Sequence, residues 1–153
     1  MHDNNLKITQ EIYIPAAHET VWEFLLSEEK MKLWFNADKF IIDAIEGGEI
    51  RIPLSFQGKE YIIAGEIGLI LPRKKFVFTW IEGNKYGEFW FNNTTVIIEL
   101  EEAGAGTQLS LTHDGFKYLS SEIREDAYRR YVAYWEEGKF MEQLLKLIAP
   151  NKK

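Results

Sequence analysis

Three histidines, His2, His18 and His113, come first in any search for chemistry, because imidazole titrates near neutral pH and is the commonest nitrogen ligand of metals. They fall on an N-terminal tail, a predicted helix start and a predicted strand. No two share the i, i+4 spacing of a zinc-binding helix, so no metal site is expected. The chain has no cysteine, which removes thiolate ligands, cysteine nucleophiles and disulfides together and fits a reducing compartment. No GxSxG elbow, GxxxxGK(S/T) loop or GxGxxG occurs, and Gly104-Ala105-Gly106 reads as hairpin turn chemistry. Hydrolase and nucleotide-dependent chemistry thereby lose their main support, and no catalytic residue or cofactor is assigned.

His113 is the most informative ionisable residue. Strand alternation puts it on the face of Leu109 and Leu111, which should point inward. There it could bond a ligand, act with a nearby carboxylate as acid and base, or be a core histidine paired with a backbone carbonyl or the C-terminal helix. Gln10 is a second polar residue on an inward strand face, able to orient a ligand or to sit near a strand end in water. Aromatic residues make up 14% of the chain, and Trp34, Phe35, Phe56, Phe78, Trp80, Tyr131 and Trp135 lie where either a pocket or a packed core would be. Rings serve both purposes, so composition does not separate them. The connection Glu82–Asn93 carries Phe89-Trp90-Phe91. It reads as a lid, a partner surface, or an extension of the strand that follows.

The elements that would position these residues follow from periodicity. Leu6 to Ile14 alternates, with Leu6, Ile8, Ile12 and Ile14 on one face, and Pro15 ends the strand. Thr20-Val21-Trp22-Glu23 fits a capping box opening a short helix that buries Val21, Trp22, Leu25 and Leu26. Ser27 is placed to cap a second short helix ending near Met31 to Trp34, with Glu28 and Glu29 in its first turn. Strands are predicted at Lys39–Ile42, Glu49–Phe56, Glu60–Leu71, Lys75–Ile81, Thr94–Leu100 and Thr107–His113. Gly47-Gly48 marks a turn, and Gly65 and Gly68 mark a bulge or sharp curvature. From Glu122 to Ile148 apolar residues recur at helical spacing, with Tyr131, Trp135, Met141, Leu145 and Ile148 on one stripe. Gly138 inside that helix implies close approach to the sheet.

At 153 residues the chain is sized for one domain with a substantial core, and no linker or repeat divides it. The net charge of −6 repels phosphate backbones and anionic lipid. With no leader-like N-terminus and no apolar run near 20 residues, neither a nucleic-acid partner nor membrane insertion is expected. The cytoplasm is the expected compartment. The cluster Arg73-Lys74-Lys75 reads as a solvated turn.

Strand, two short helices, six strands, long helix is an order with a known owner. Pro15, Val21-Trp22, Trp34-Phe35, Gly47-Gly48 and Thr79-Trp80 match one family's pattern in order. Gly106-Thr107, Leu109, Leu111, His113 and Gly115-Phe116 continue it. On these residues the chain resembles the START-like, helix-grip superfamily, and within it the family named for the activator of the heat-shock chaperone ATPase. Where that family has Gly-Trp in its last helix, this chain has Gly138-Lys139, with Trp135 one turn earlier. The resemblance implies an α+β helix-grip fold, a curved antiparallel sheet of six to seven strands around a long C-terminal helix.

It also implies a deep cavity that in relatives holds lipids, hormones or polyketides. The ligand-binding residues so expected are Trp34, Ile50, Ile52, Phe56, Phe78, Trp80, Leu109, Leu111, His113, Tyr131 and Trp135. The expected function is non-enzymatic binding of a small apolar molecule. The alternatives are a cyclase- or hydrolase-type enzyme in the same cavity, and a homodimer or chaperone-linked partner surface through Phe89, Trp90 and Phe91. The chaperone activator carries a further N-terminal domain that engages its partner, and this sequence starts directly with the helix-grip pattern, so chaperone stimulation is only weakly implied.

Overall fold

The computed structural model describes residues 6–35, 40–137 and 140–148, with Glu28, Trp34, Phe35 and Glu137 described by backbone alone. Seven strands form one antiparallel sheet: β1 (Ile8–Ile14), β2 (Ile41–Ile42), β3 (Glu49–Phe56), β4 (Lys59–Leu71), β5 (Lys75–Gly83), β6 (Thr94–Ala103) and β7 (Gly106–Asp114). Their order across the sheet is β1-β7-β6-β5-β4-β3-β2. The first strand therefore pairs with the last, Ile8 opposite His113 and Ile14 opposite Thr107, while each strand from β3 onward pairs with the one before it and β2 forms the other edge. The helices are α1 (His18–Leu25), α2 (Glu28–Phe35), α3 (Arg124–Glu137) and α4 (Phe140–Ile148). The expected α+β helix-grip architecture is present. Among the described residues no helix is long and apolar enough to cross a membrane.

Period-2 alternation makes one sheet face apolar and aims it at the helices. Ile50, Ile52 and Leu54 of β3, Phe76, Phe78 and Trp80 of β5, Val96, Ile98 and Leu100 of β6, and Leu109 and Leu111 of β7 are all buried. They join Val21, Leu25, Tyr131, Trp135, Phe140 and Leu144 in one continuous core.

The sheet bends at the two glycines of β4. The β4–β5 register slips between Ile67 and Leu69, so Gly68 sits at a bulge, where curvature increases. Gly65 has a different reason: a Cβ there would fall on the Thr79 carbonyl oxygen of β5. Its neighbour Glu66 donates its backbone N–H to the Thr79 side-chain Oγ1 at 2.9 Å. The Gly47-Gly48 turn locks onto β4 by two bonds, Gly47 N–H to the Ile67 carbonyl and Ile67 N–H to the Gly48 carbonyl, both 2.8 Å.

Local expectations fail in four places. The capping box does not form: α1 starts at His18 with Ala17 as N-cap and no side-chain cap bond, so Thr20 and Glu23 are already inside the helix. Starting there turns Phe24 into the core beside Val21 and Leu25, leaving Trp22 and Leu26 half-buried. Ser27 does cap α2, its Oγ accepting from Lys30 N–H at 3.4 Å. The strand expected at Lys39–Ile42 is reduced to Ile41–Ile42, and Lys39 lies outside the described residues. The C-terminal helix begins at Arg124 rather than Glu122. Beyond Trp135 its buried stripe runs through Phe140 and Leu144, one residue earlier than predicted, so Met141, Leu145 and Ile148 are half-buried. Gly138 and Lys139 lie outside the described residues.

The close approach at Gly65 gives a direct test. Gly65→Ala should lower the unfolding free energy by about 1–3 kcal/mol, because backbone must shift to admit the methyl. Gly68→Ala, whose Cβ would meet only the Val77 carbonyl oxygen at 3.9 Å, should cost less than about 1 kcal/mol. Urea-unfolding midpoints of the two proteins decide the matter, and equal costs would contradict it.

Candidate functional site

His113, the most informative residue of the sequence, is fully buried and fully engaged. The Trp135 indole N–H of α3 donates to His113 Nδ1 at 3.1 Å. Indole nitrogen is a donor only, so Nδ1 is the acceptor and the ring proton sits on Nε2. That N–H donates to Thr94 Oγ1 of β6 at 2.8 Å, whose hydroxyl donates in turn to the Trp80 carbonyl of β5 at 2.9 Å. Burial pushes the His113 pKa down to about 3. A neutral imidazole with both nitrogens bonded into the fold has no free position for proton transfer. Of the readings open from sequence, the core histidine paired with the C-terminal helix matches this geometry.

Around it the rings converge. Trp80 lies 5.7 Å from Tyr131, 5.7 Å from Trp135 and 5.4 Å from His113, with Phe78 beside it at 6.4 Å. The contacts with Tyr131 and His113 are edge-to-face, an arrangement ring quadrupoles prefer, and those with Trp135 and Phe78 are tilted. Ile52, Trp80, Leu109, Leu111 and His113 all have 0% exposure, so none of them borders a space that admits water. Ile50 and Phe78 are almost as closed. Phe56 is half-buried and meets Tyr134 edge-on at 5.4 Å. The Trp34 side chain lies outside the described residues. Gln10 is half-buried on β1, and its Oε1 is buried with no hydrogen bond among the described residues.

The packing loosens at one corner, where α3 crosses the ends of β3, β4 and β5. Arg130 donates through Nη1 and Nη2 to Glu82 Oε1 and Oε2, at 2.9 and 3.2 Å, a bidentate pairing. Its Nε reaches Asp126 Oδ2 at 3.1 Å, and its guanidinium lies over the Tyr61 ring, 5.3 Å from the centroid. Tyr131 donates its hydroxyl to the same Glu82 Oε1 at 2.7 Å. Burial alone would lower the Arg130 pKa, but the bonds and charge of Glu82, with Asp126 behind it, more than offset this and hold it above its ordinary value. Burial, and then the Glu82 charge, push the Tyr131 hydroxyl well above its usual range.

Beneath Arg130 is a cavity of about 10 Å³ lined by Leu54, Phe56, Tyr61, Arg130, Tyr131 and Tyr134, room for about one water. Two open grooves flank the same arginine on the surface. One, about 690 Å³, runs past Lys59, Glu60, Tyr61 and Lys85. The other, about 450 Å³, runs past Phe89, Trp90, Phe91, Tyr118 and Ile123. The aromatic connection contributes to the second groove by folding back rather than by extending β6. Gly83 bridges Phe89, and Trp90 N–H donates to the Glu82 carbonyl at 3.0 Å. Trp90 is thereby half-buried, 6.0 Å from Tyr131, and Phe91 is left fully exposed.

Glu82, Arg130 and Tyr134 were missed by sequence reasoning, though a signal existed. Glu82 continues the inward alternation of Phe76, Phe78 and Trp80, and a carboxylate on an inward face needs a cation. Tyr134 stands one helical turn beyond Arg130.

The His113 network makes stability depend on pH. The folded pKa lies below the ordinary 6.5, so the unfolded chain binds the extra proton. The contribution is complete above about pH 6.5 and is lost as pH falls toward 3. The stability advantage of the natural protein over His113→Gln should therefore shrink by about 1.4 kcal/mol per pH unit between about pH 6 and 4. Urea unfolding of both proteins across that range measures it, and a pH-independent difference would show that His113 protonates in the folded state.

Known proteins share this architecture. A Mesorhizobium loti protein superposes with a TM-score of 0.74 at 19% identity, over 96% of this chain and 99% of that one. A Nitrosomonas europaea protein gives 0.72 at 17%, over 99% of both chains. The Aha1 dimer of Colwellia psychrerythraea gives 0.64 at 18%, over 96% of this chain and 98% of that one. At such identities the likeness is one of fold. No curated protein sequence matches. The profile of the Activator of Hsp90 ATPase homolog 1-like protein family matches residues 15–143, most of the chain, and the protein belongs to that family.

Proposed function

We propose that this protein is a non-enzymatic binding module that takes a small apolar or aromatic molecule between sheet and α3, admitting it at the Arg130 corner. The observation that carries the reading is the water-sized cavity beneath Arg130, which stands between the interior ring cluster and two surface grooves. Ligand sites are typically apolar and aromatic with a few placed polar groups. Leu54, Phe56, Tyr61, Tyr131 and Tyr134 supply the first, and Arg130 with the Tyr134 hydroxyl the second. Packing is closed where Ile52, Trp80, Leu109 and Leu111 meet. A ligand therefore gains room by displacing Arg130 and Tyr61 outward, not by filling a preformed chamber. The cyclase- or hydrolase-type alternative loses its proposed base, because both His113 nitrogens are spent.

A second reading, a homodimer or protein partner bound through Phe89, Trp90 and Phe91, is favoured by one observation. Phe91 is fully exposed and Phe89 partly so, beside the groove they help to line, and an exposed apolar patch of this kind commonly marks an interface.

Two measurements test these readings. Titrating the ¹⁵N-labelled protein with a panel of naphthalenes, flavones and oleate should give saturable shifts centred on Tyr61, Glu82 and Arg130 to Tyr134. An unperturbed spectrum across the whole panel sinks the binding proposal. For the second reading, light scattering at high concentration should show a mass above that of one chain, reduced by Phe91→Ser. The same mass for both proteins, together with unchanged captured partners, removes it.

A further inference from the structure

Resting on the binding role proposed above, the geometry points to the Tyr134 hydroxyl as the selecting group of that site. It would favour flat aromatic ligands that carry a hydrogen-bond acceptor, such as an aryl ketone, over equally shaped hydrocarbons. The Tyr134 ring is held from four sides, by Phe56 at 5.4 Å, Tyr131 at 5.8 Å, Trp135 at 4.9 Å and Trp80 at 6.3 Å. Its position is fixed by packing and not by its hydroxyl, which makes no hydrogen bond among the described residues.

Tyr131 and Arg130 are engaged with the carboxylates, while the Tyr61 hydroxyl, like that of Tyr134, makes no hydrogen bond among the described residues. Tyr131 gives its hydroxyl proton to Glu82. Arg130 gives three donors to Glu82 and Asp126. Glu82 accepts on both oxygens. Tyr61 and Arg130, which keeps two unused N–H groups, are the residues displaced outward in the binding proposed above, so Tyr134 is the lining residue that stays in place with a donor to give. Burial raises its pKa, so the group stays a neutral donor throughout the working range.

The walls set the rest of the ligand's chemistry. Phe56, Tyr61 and Tyr131 present ring faces and edges, and Leu54 presents an aliphatic side, a lining for a planar apolar body. A net positive charge on the ligand is not called for, because Glu82 and Asp126 are already paired with Arg130. Nor is a carboxylate, because the same two acids surround the only guanidinium lining the cavity. A neutral acceptor on an aromatic body fits both constraints. A hydroxyl with no protein partner gains a hydrogen bond when a ligand supplies the acceptor in place of water.

The test compares 2-acetylnaphthalene with 2-ethylnaphthalene, equal in shape but differing in the acceptor, on the natural protein and on Tyr134→Phe. Each dissociation constant is measured by ¹⁵N chemical-shift titration. The preference for the ketone, as a ratio of the two constants, should fall by about fivefold to tenfold on removing the hydroxyl. Because the ratio is compared between proteins, the different water solubilities of the probes cancel. Melting temperature separates recognition from structure: Tyr134→Phe should melt with the natural protein, whereas Tyr131→Phe, which breaks the bond to Glu82, should melt lower. If both probes bind and the ratio is the same in the two proteins, the selection by Tyr134 is wrong and the binding role stands. If neither probe binds the natural protein up to its solubility limit, both fall together.

Discussion

A neutral imidazole lies where the grip of helix on sheet is tightest, and the surrounding geometry follows from keeping it satisfied. An unpaired polar ring in an apolar core is costly, yet His113 sits there with each of its polar atoms matched. Trp135 supplies the proton for one nitrogen, Thr94 takes the proton of the other, and the Trp80 carbonyl takes the proton of Thr94. This chain crosses three neighbouring strands and the helix. Because the bonds are directional, it also sets the rotation of α3 about its own axis. Once Trp135 is aimed at His113, Tyr131 one turn earlier faces Trp80. Arg130 and Tyr134 then come to the flank that looks toward β3, β4 and β5. The corner at Arg130 is a consequence of the bond at Trp135.

That arrangement divides the molecule into a part that resists change and a part that can yield. In the centre, side chains without exposed surface interlock, and moving any of them opens a void or breaks a buried hydrogen bond. At the corner, Arg130 is held by the exposed Asp126, by the more enclosed Glu82 and by stacking on the half-buried Tyr61. The Asp126 contact and the stacking can be exchanged for contacts with water at modest cost, and the bidentate pairing with Glu82, whose side chain is only 11% exposed, is the stronger hold. A small molecule seeking the interior would therefore meet its lowest resistance under the arginine. Its observed affinity would carry the cost of the rearrangement, reduced by the fraction of molecules already open.

Much of this was legible in the residues. Alternation located the strands, because a sheet covered on one face repeats every two residues. Gly65 and Gly68 announced the bend, since a side chain at Gly65 would occupy the place of the Thr79 carbonyl. His113 announced itself as a polar residue on an apolar face, and pairing with the long helix was among its possible explanations. What escaped was long-range or competitive. Glu82 and Arg130 stand 48 residues apart, and no local pattern ties one to the other until the sheet curls the end of β5 against α3. The Thr20-Glu23 box was a valid local signal overruled by the core, which gains Phe24 when α1 starts at His18. The stripe of the last helix was misplaced by one residue, since Phe140 and Leu144 are the buried positions and not Met141 and Leu145.

Membership of the family fixes the architecture without fixing what the protein selects, because fold and any selection rest on different residues. Trp80, Thr94, His113 and Trp135 tie sheet to helix and are closed to solvent, so changing them perturbs the fold before it can alter specificity. Glu82, Arg130 and Tyr134 sit at the rim of the core, where a change of charge or the loss of one oxygen leaves the central packing in place. Relatives sharing the architecture at 13–22% identity can therefore keep the same grip while presenting different chemistry at its mouth. In this chain that chemistry is an arginine paired with two carboxylates and two phenols, Tyr61 and Tyr134, whose hydroxyls make no hydrogen bond among the described residues, and the preference proposed for a neutral aromatic acceptor over a cation or an acid rests on that combination.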